Sequence, residues 1–106
     1  MSVGYARATM GPKRHGGFSR AAWALLERMR RTPAGWSSRD LARLYQGFGF
    51  VKRDTGDHTV YYHPVHREVR ATVPRGRSLK SWVARDAVSV VDRLVSLEER
   101  RHDKGS

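Results

Sequence analysis

The side chains able to do chemistry in this chain are limited by the absence of cysteine. That removes a disulfide framework, a thiolate nucleophile and every cysteine-based zinc or iron–sulfur site. Histidines and carboxylates must carry whatever chemistry exists, and three of the five histidines, His58, His63 and His66, stand close together beside Asp57. An imidazole that titrates near neutral pH suits proton transfer. A metal set drawn from these four residues lacks the recognisable spacing of three or four zinc ligands, so neither a metal nor a cofactor is expected. The sequence also lacks a phosphate-cradling glycine loop, a nucleophile elbow and a carboxylate pair at helical spacing.

The second chemical resource is positive charge. Lys and Arg number 21 against 10 Asp and Glu, a net +11, and all but Lys13, Lys52, Lys80 and Lys104 of those cations are arginine. Arginine suits bidentate phosphate contact and stacking on bases. Residues 1–36 carry +6, residues 37–77 carry +4 and residues 78–106 carry +1, so the basic field belongs to the first three quarters of the chain. Solubility alone does not require that asymmetry; a polyanionic partner, nucleic acid first, does.

With 106 residues, 39% of them apolar, the chain has room for one small domain with a modest core. No run approaches the ~20 apolar residues of a membrane span and the N-terminus lacks an apolar signal region, which predicts a soluble cytoplasmic protein with no membrane partner. Residues 1–18 hold four glycines and a proline without any period and read as a flexible basic arm. After Ser19 as N-cap, Ala22, Trp23, Leu25, Leu26 and Met29 fall at the spacing of an amphipathic helix over 20–31, ended by Pro33-Ala34-Gly35. Residues 19–36 are thus a helical extension, with Trp23, Leu26 and Met29 covering a flank of the core.

A second helix over 38–47 opens at Ser37 or Ser38. Ser37 and Asp40 form a weak version of a capping box, and Gly47 or Gly49 supplies the stop. Then the period changes to two. Gly49–Arg53, His58–His63 and Glu68–Val73 read as three antiparallel strands, joined by a turn at Asp54-Thr55-Gly56-Asp57 and another at Pro64-Val65-His66-Arg67. In the third strand Val69, Ala71 and Val73 alternate with Arg70 and Thr72, so one sheet face is apolar and the other basic. A closing helix capped by Ser78 or Ser81 places Leu79, Trp82, Val83, Val90, Val91, Leu94 and Leu97 in one stripe and runs to about Arg100. The result is an α+β sandwich of α-β-β-β-α order with an extra N-terminal helix.

Ser37-Ser38-Arg39-Asp40-Leu41, Gly49-Phe50, Gly56-Asp57-His58, His63-Pro64 and Thr72-Val73-Pro74, followed by the closing helix, occur in the order and spacing of the HicA toxins. The chain resembles these HicA (YcfA-like) mRNA interferases over about residues 37–97. The resemblance implies a fold like the double-stranded-RNA-binding domain across a HicA-like domain of residues 37–101, followed by a disordered tail over 102–106. It also implies the toxin of a toxin–antitoxin system: a metal-independent endoribonuclease acting on mRNA, held inactive by a HicB-like antitoxin in a hetero-oligomer. The family's key histidine corresponds to His58. Asp57 departs from the small hydroxyl residue usual before it, and either raises the imidazole's proton affinity or satisfies the hairpin backbone.

RNA supplies its own nucleophile, so cleavage begins when a general base takes the proton of a 2′-hydroxyl beside its phosphate. His58 is the candidate for that catalytic role, set against the plain alternative of an exposed strand-end histidine. Period two puts His58, Val60 and Tyr62 on one side of the strand and Thr59, Tyr61 and His63 on the other. The His58 side is expected to be the open, RNA-facing surface, with Lys52 and Arg70 from the neighbouring strands beside it. Candidate RNA-binding residues are Lys52, Arg53, Tyr62, Arg70, Arg75 and Arg77, with Tyr62 stacking on a base. Trp23, Trp82 and Tyr61 are expected in the core, and His63 and His66 as solvated turn residues. Two other functions compete: a winged-helix DNA-binding regulator, suggested by Ser38-Arg39-Asp40-Leu41-Ala42 and a basic hairpin, and an RNA-binding module without catalysis. The third strand is more than a two-stranded wing needs.

Overall fold

The computed structural model describes residues 17–105, with side chains to Arg101. Helix α1 spans Arg20–Arg31, α2 Ser38–Gly47 and α3 Ser81–Gly105; strands β1 (Val51–Asp54), β2 (His58–Tyr62) and β3 (Arg70–Pro74) lie between α2 and α3. The chain is an α+β domain with a three-stranded antiparallel sheet in the order β1-β2-β3. Of the arm expected over residues 1–18, residues 1–16 lie outside the described part. Phe18, assigned to that arm, instead packs against Trp23 and Phe48, with ring centroids 6.3 and 4.9 Å away.

Local chemistry sets the helix ends. The Ser19 hydroxyl accepts from the Ala22 backbone N–H at 3.1 Å, and Arg28, Arg30 and Arg31 stand in the last turn of α1, where cations complement the helix dipole. At α2 the capping box closes in both directions: Asp40 N–H donates to Ser37 Oγ at 3.2 Å, and Ser37 N–H donates to Asp40 Oδ2 at 2.9 Å. The backbone hydrogen bond from Ser37 holds the Asp40 carboxyl below its ordinary pKa. Aspartate, with a shorter reach than the usual glutamate, closes this box in full. Ser37→Ala, which removes an acceptor and leaves the Asp40 N–H open, should lower stability by about 1 kcal/mol in denaturant unfolding.

Helices α2 and α3 pack on one face of the sheet, and α1 packs against α2 and α3. Leu26 and Met29 of α1, Leu41, Leu44 and Tyr45 of α2, and Ala87, Val91 and Leu94 of α3 meet Tyr61, Ala71 and Val73 from the sheet, all buried. Tyr45 stacks on Tyr61 at 4.7 Å and meets Phe50 edge-on at 5.1 Å; burial pushes the Tyr45 phenol above its ordinary pKa. Arg30 ties α1 to α3 through a bidentate pair with Asp92 at 2.8 and 2.9 Å. Both side chains are well exposed, so the pair contributes at most about 1 kcal/mol.

Three expectations are corrected. Trp82 is 52% exposed rather than core, because the buried stripe of α3 runs through Val83, Ala84, Ala87, Val88, Val91 and Leu94, one residue off. Helix α3 continues past Arg100 to Gly105, since no glycine or proline intervenes before Gly105 to stop it. The first strand starts at Val51 rather than Gly49, because Gly49, at φ +88°, forms the left-handed turn that ends α2.

Candidate nucleic-acid interface

The register of β2 against its neighbours decides which side chains share a face. Tyr62 lies opposite Val51 and Arg70, Val60 opposite Arg53 and Thr72, and His58 opposite Pro74. In an antiparallel sheet directly opposed residues project to the same side. His58, Tyr62, Arg53 and Arg70 therefore occupy one face, the one away from the helices, where Arg53 and Arg70 are exposed and His58 and Tyr62 half-buried. Neither arginine makes an ion pair among the described residues.

His58 begins β2 directly after the hairpin turn. Gly56 takes φ +96° there, and Thr55 donates from both its N–H (3.0 Å) and its Oγ1 (2.9 Å) to the His58 carbonyl. These bonds fix the backbone of His58 and leave its imidazole without a hydrogen bond among the described residues. A ring held at the backbone and free at its nitrogens is suited to exchanging a proton with a ligand. Asp57 is exposed.

Lys52 is a correction. It lies opposite Tyr61, so it projects to the helix side of the sheet, away from His58 and Arg70. There it lines a cleft of about 390 Å3 with Arg39, Arg75 and Asp54 between α2 and β1. Arg77 lines an adjoining cleft of about 480 Å3 with Ser38 and Arg39. The predicted RNA-binding residues thus divide between two surfaces, Arg53, Tyr62 and Arg70 on one and Lys52, Arg75 and Arg77 on the other. Arg39, which belongs with the second set, is not among the residues predicted from sequence. Arg39 is exposed in the first turn of α2, and its charge is the one signal the sequence offers for it.

His63 and His66, expected to be solvated, are instead buried and half-buried. The Nδ1 of His63 accepts from the backbone N–H groups of Val65 (3.1 Å) and His66 (3.2 Å). Both roles require the neutral ring with its proton on Nε2. Burial, then the neighbouring His66, lowers the His63 pKa. His66 Nε2 lies 2.6 Å from Glu98 Oε2 of α3, and Arg101 donates to the same carboxylate at 3.3 Å. Burial works to raise the Glu98 pKa, but the His66 hydrogen bond and the Arg101 charge outweigh it and the net direction is downward. This network pins the β2–β3 connection to α3. Period two already places His63 with Tyr61 on the helix-facing side, which is the signal for its burial.

Among the described residues no group of three or more His, Cys, Asp or Glu is gathered as a metal-ligand set, and His58 stands on the opposite sheet face from His63. No described helix is long and apolar enough to cross a membrane. No protein-family profile matches the chain, and no curated protein and no solved structure is significantly similar to it.

Proposed function

We propose that this protein is an RNA-binding endoribonuclease of HicA-like type, with a double-stranded-RNA-binding-domain-like fold and His58 as the proton-transfer group. The observation that carries the reading is that His58, Tyr62, Arg53 and Arg70 share one helix-free sheet face on which both arginines lack a carboxylate partner among the described residues. Arg53 and Arg70 neutralise phosphates, and Tyr62 offers a ring for base stacking. His58 takes the proton of the 2′-hydroxyl as its oxygen attacks the adjacent phosphorus. The P–O5′ bond breaks, the leaving oxygen takes up the proton that His58 has gained, directly or through water, and the products are a 2′,3′-cyclic phosphate and a 5′-hydroxyl. The arginines stabilise charge that grows on the phosphoryl oxygens.

A +11 protein that cleaves mRNA needs masking, and an acidic HicB-like antitoxin in a hetero-oligomer supplies the complementary surface. A three-stranded sheet with α2 and α3 packed on it supports this reading over a winged helix, whose wing needs two strands. The test is the chemistry of the cut ends. Purified protein incubated with single-stranded RNA in EDTA should leave cyclic phosphate ends. RNA left intact both with and without EDTA would reduce the protein to a binding module, and cleavage seen only without EDTA would replace His58 by a metal-dependent route.

A further inference from the structure

Among the described residues three arginines are tied to carboxylates: Arg30 to Asp92 and Glu27, Arg43 to Asp40, and Arg101 to Glu98. Arg39, Lys52, Arg75 and Arg77 have none among the described residues, yet they converge on two adjoining clefts that share Ser38 and Arg39. All four are exposed. The one carboxylate lining these clefts is Asp54, whose Oδ1 is occupied by the Thr59 hydroxyl at 2.8 Å. Like charges focused in a concave, low-dielectric wall repel one another and build a field that an anion relieves. Ion pairing within the fold therefore does not account for this cluster, while a phosphate-rich ligand satisfies the arrangement.

The clefts lie on the helix side of the sheet and His58 on the other. Between them stands β1, an outer strand with all four residues exposed. Along it Lys52 projects to the cleft side, opposite Tyr61, and the next residue, Arg53, to the His58 side, opposite Val60. Consecutive cations thus mark both sides of one edge. We infer that a single RNA strand crosses the β1 edge, with one stretch on the His58 face and the adjoining phosphates held by Arg39, Lys52, Arg75 and Arg77 between α2 and β1. A duplex resists bending over so short a length, whereas a single strand follows a charged groove around a corner. The inference rests on the RNA-binding reading and deepens it: the substrate is single-stranded and longer than the His58 face alone accommodates.

The experiment measures binding of the full chain to a 2′-O-methylated oligouridylate of about a dozen nucleotides, which lacks the attacking hydroxyl, over a series of salt concentrations. For the triple variant Arg39→Ala/Arg75→Ala/Arg77→Ala, the slope of log affinity against log salt should fall by about 2, at about 0.7 for each single-strand phosphate that is no longer neutralised. Its thermal melting should match wild type, because the three side chains make no ion pair among the described residues. A slope unchanged in this variant but reduced in Arg53→Ala/Arg70→Ala would overturn the edge-crossing path and leave the RNA-binding reading standing. Failure of wild-type protein to bind the strand would overturn both. A matching duplex should bind with a slope indifferent to the triple substitution; an equal decrease for duplex and single strand would also sink the bent path.

Discussion

His58→Ala is expected to lower RNA cleavage by about 10²–10⁴-fold, the range one positioned general acid–base group supplies, and to abolish growth arrest on expression. The fold should survive. The imidazole is half-buried and makes no hydrogen bond among the described residues, while the bonds that hold this position run from Thr55 to the His58 carbonyl, which alanine retains. Loss of activity with an unchanged melting transition therefore reports proton transfer and not unfolding. Arg70→Ala and Tyr62→Ala serve as companions: they remove phosphate and base contacts, so their deficits should fall mainly on KM. A His58→Ala protein that cleaves at the wild-type rate would show that the histidine is an ordinary strand-end residue, and the enzymatic reading would fall.

Where the sequence carries an unambiguous local code, it matches the structure closely. The α1 span is readable from Ser19, the 3.6-residue spacing of Ala22, Leu26 and Met29, and Pro33; the α2 span follows from Ser37 and Asp40. The alternation in β3 correctly sorts Ala71 and Val73 from Arg70 and Thr72. What escapes is information carried by pairing and docking. Lys52 changes faces because a strand register depends on its partner, and a slip of one residue inverts every side chain. Trp82 misleads because a large apolar residue one position off a helix stripe looks like part of it. His63 and His66 look solvated from the turn residues around them, since nothing near position 66 announces a glutamate 32 positions later. The candidate site follows the same division: the His58 side of β2 is legible from period two, but its separation from Arg75 and Arg77 is not.

The His66–Glu98 contact gives the second large expected effect, a marked loss of stability on Glu98→Ala and on acidification. Both side chains are largely buried, at 14% and 12% exposure. Truncating one partner of such a pair leaves the other's polar atom desolvated and without its hydrogen bond, so Glu98→Ala should cost about 2 kcal/mol, visible as a lower denaturant midpoint. The pH dependence follows from three downward shifts, those of His63, Glu98 and Asp40. His63 binds a proton less readily folded than unfolded, so its contribution is complete above its ordinary value of about 6.5 and declines as pH falls from there toward its folded value. Glu98 and Asp40 are also lowered, so their contributions hold above the ordinary carboxylate range and are lost as pH falls through the folded values. In all three cases the unfolded chain binds more protons, and stability must rise with pH. Wild-type protein should therefore begin to lose melting temperature below about pH 6.5 and lose more in the carboxylate range. Glu98→Gln keeps the side-chain shape while removing the Glu98 share of the lower step, and leaves the Asp40 share and the His63 step in place. A wild-type melting temperature that is flat from pH 7.5 to 5, or a Glu98→Gln profile that retains the lower step unchanged, would show that the histidine–glutamate network does not anchor the β2–β3 connection to α3.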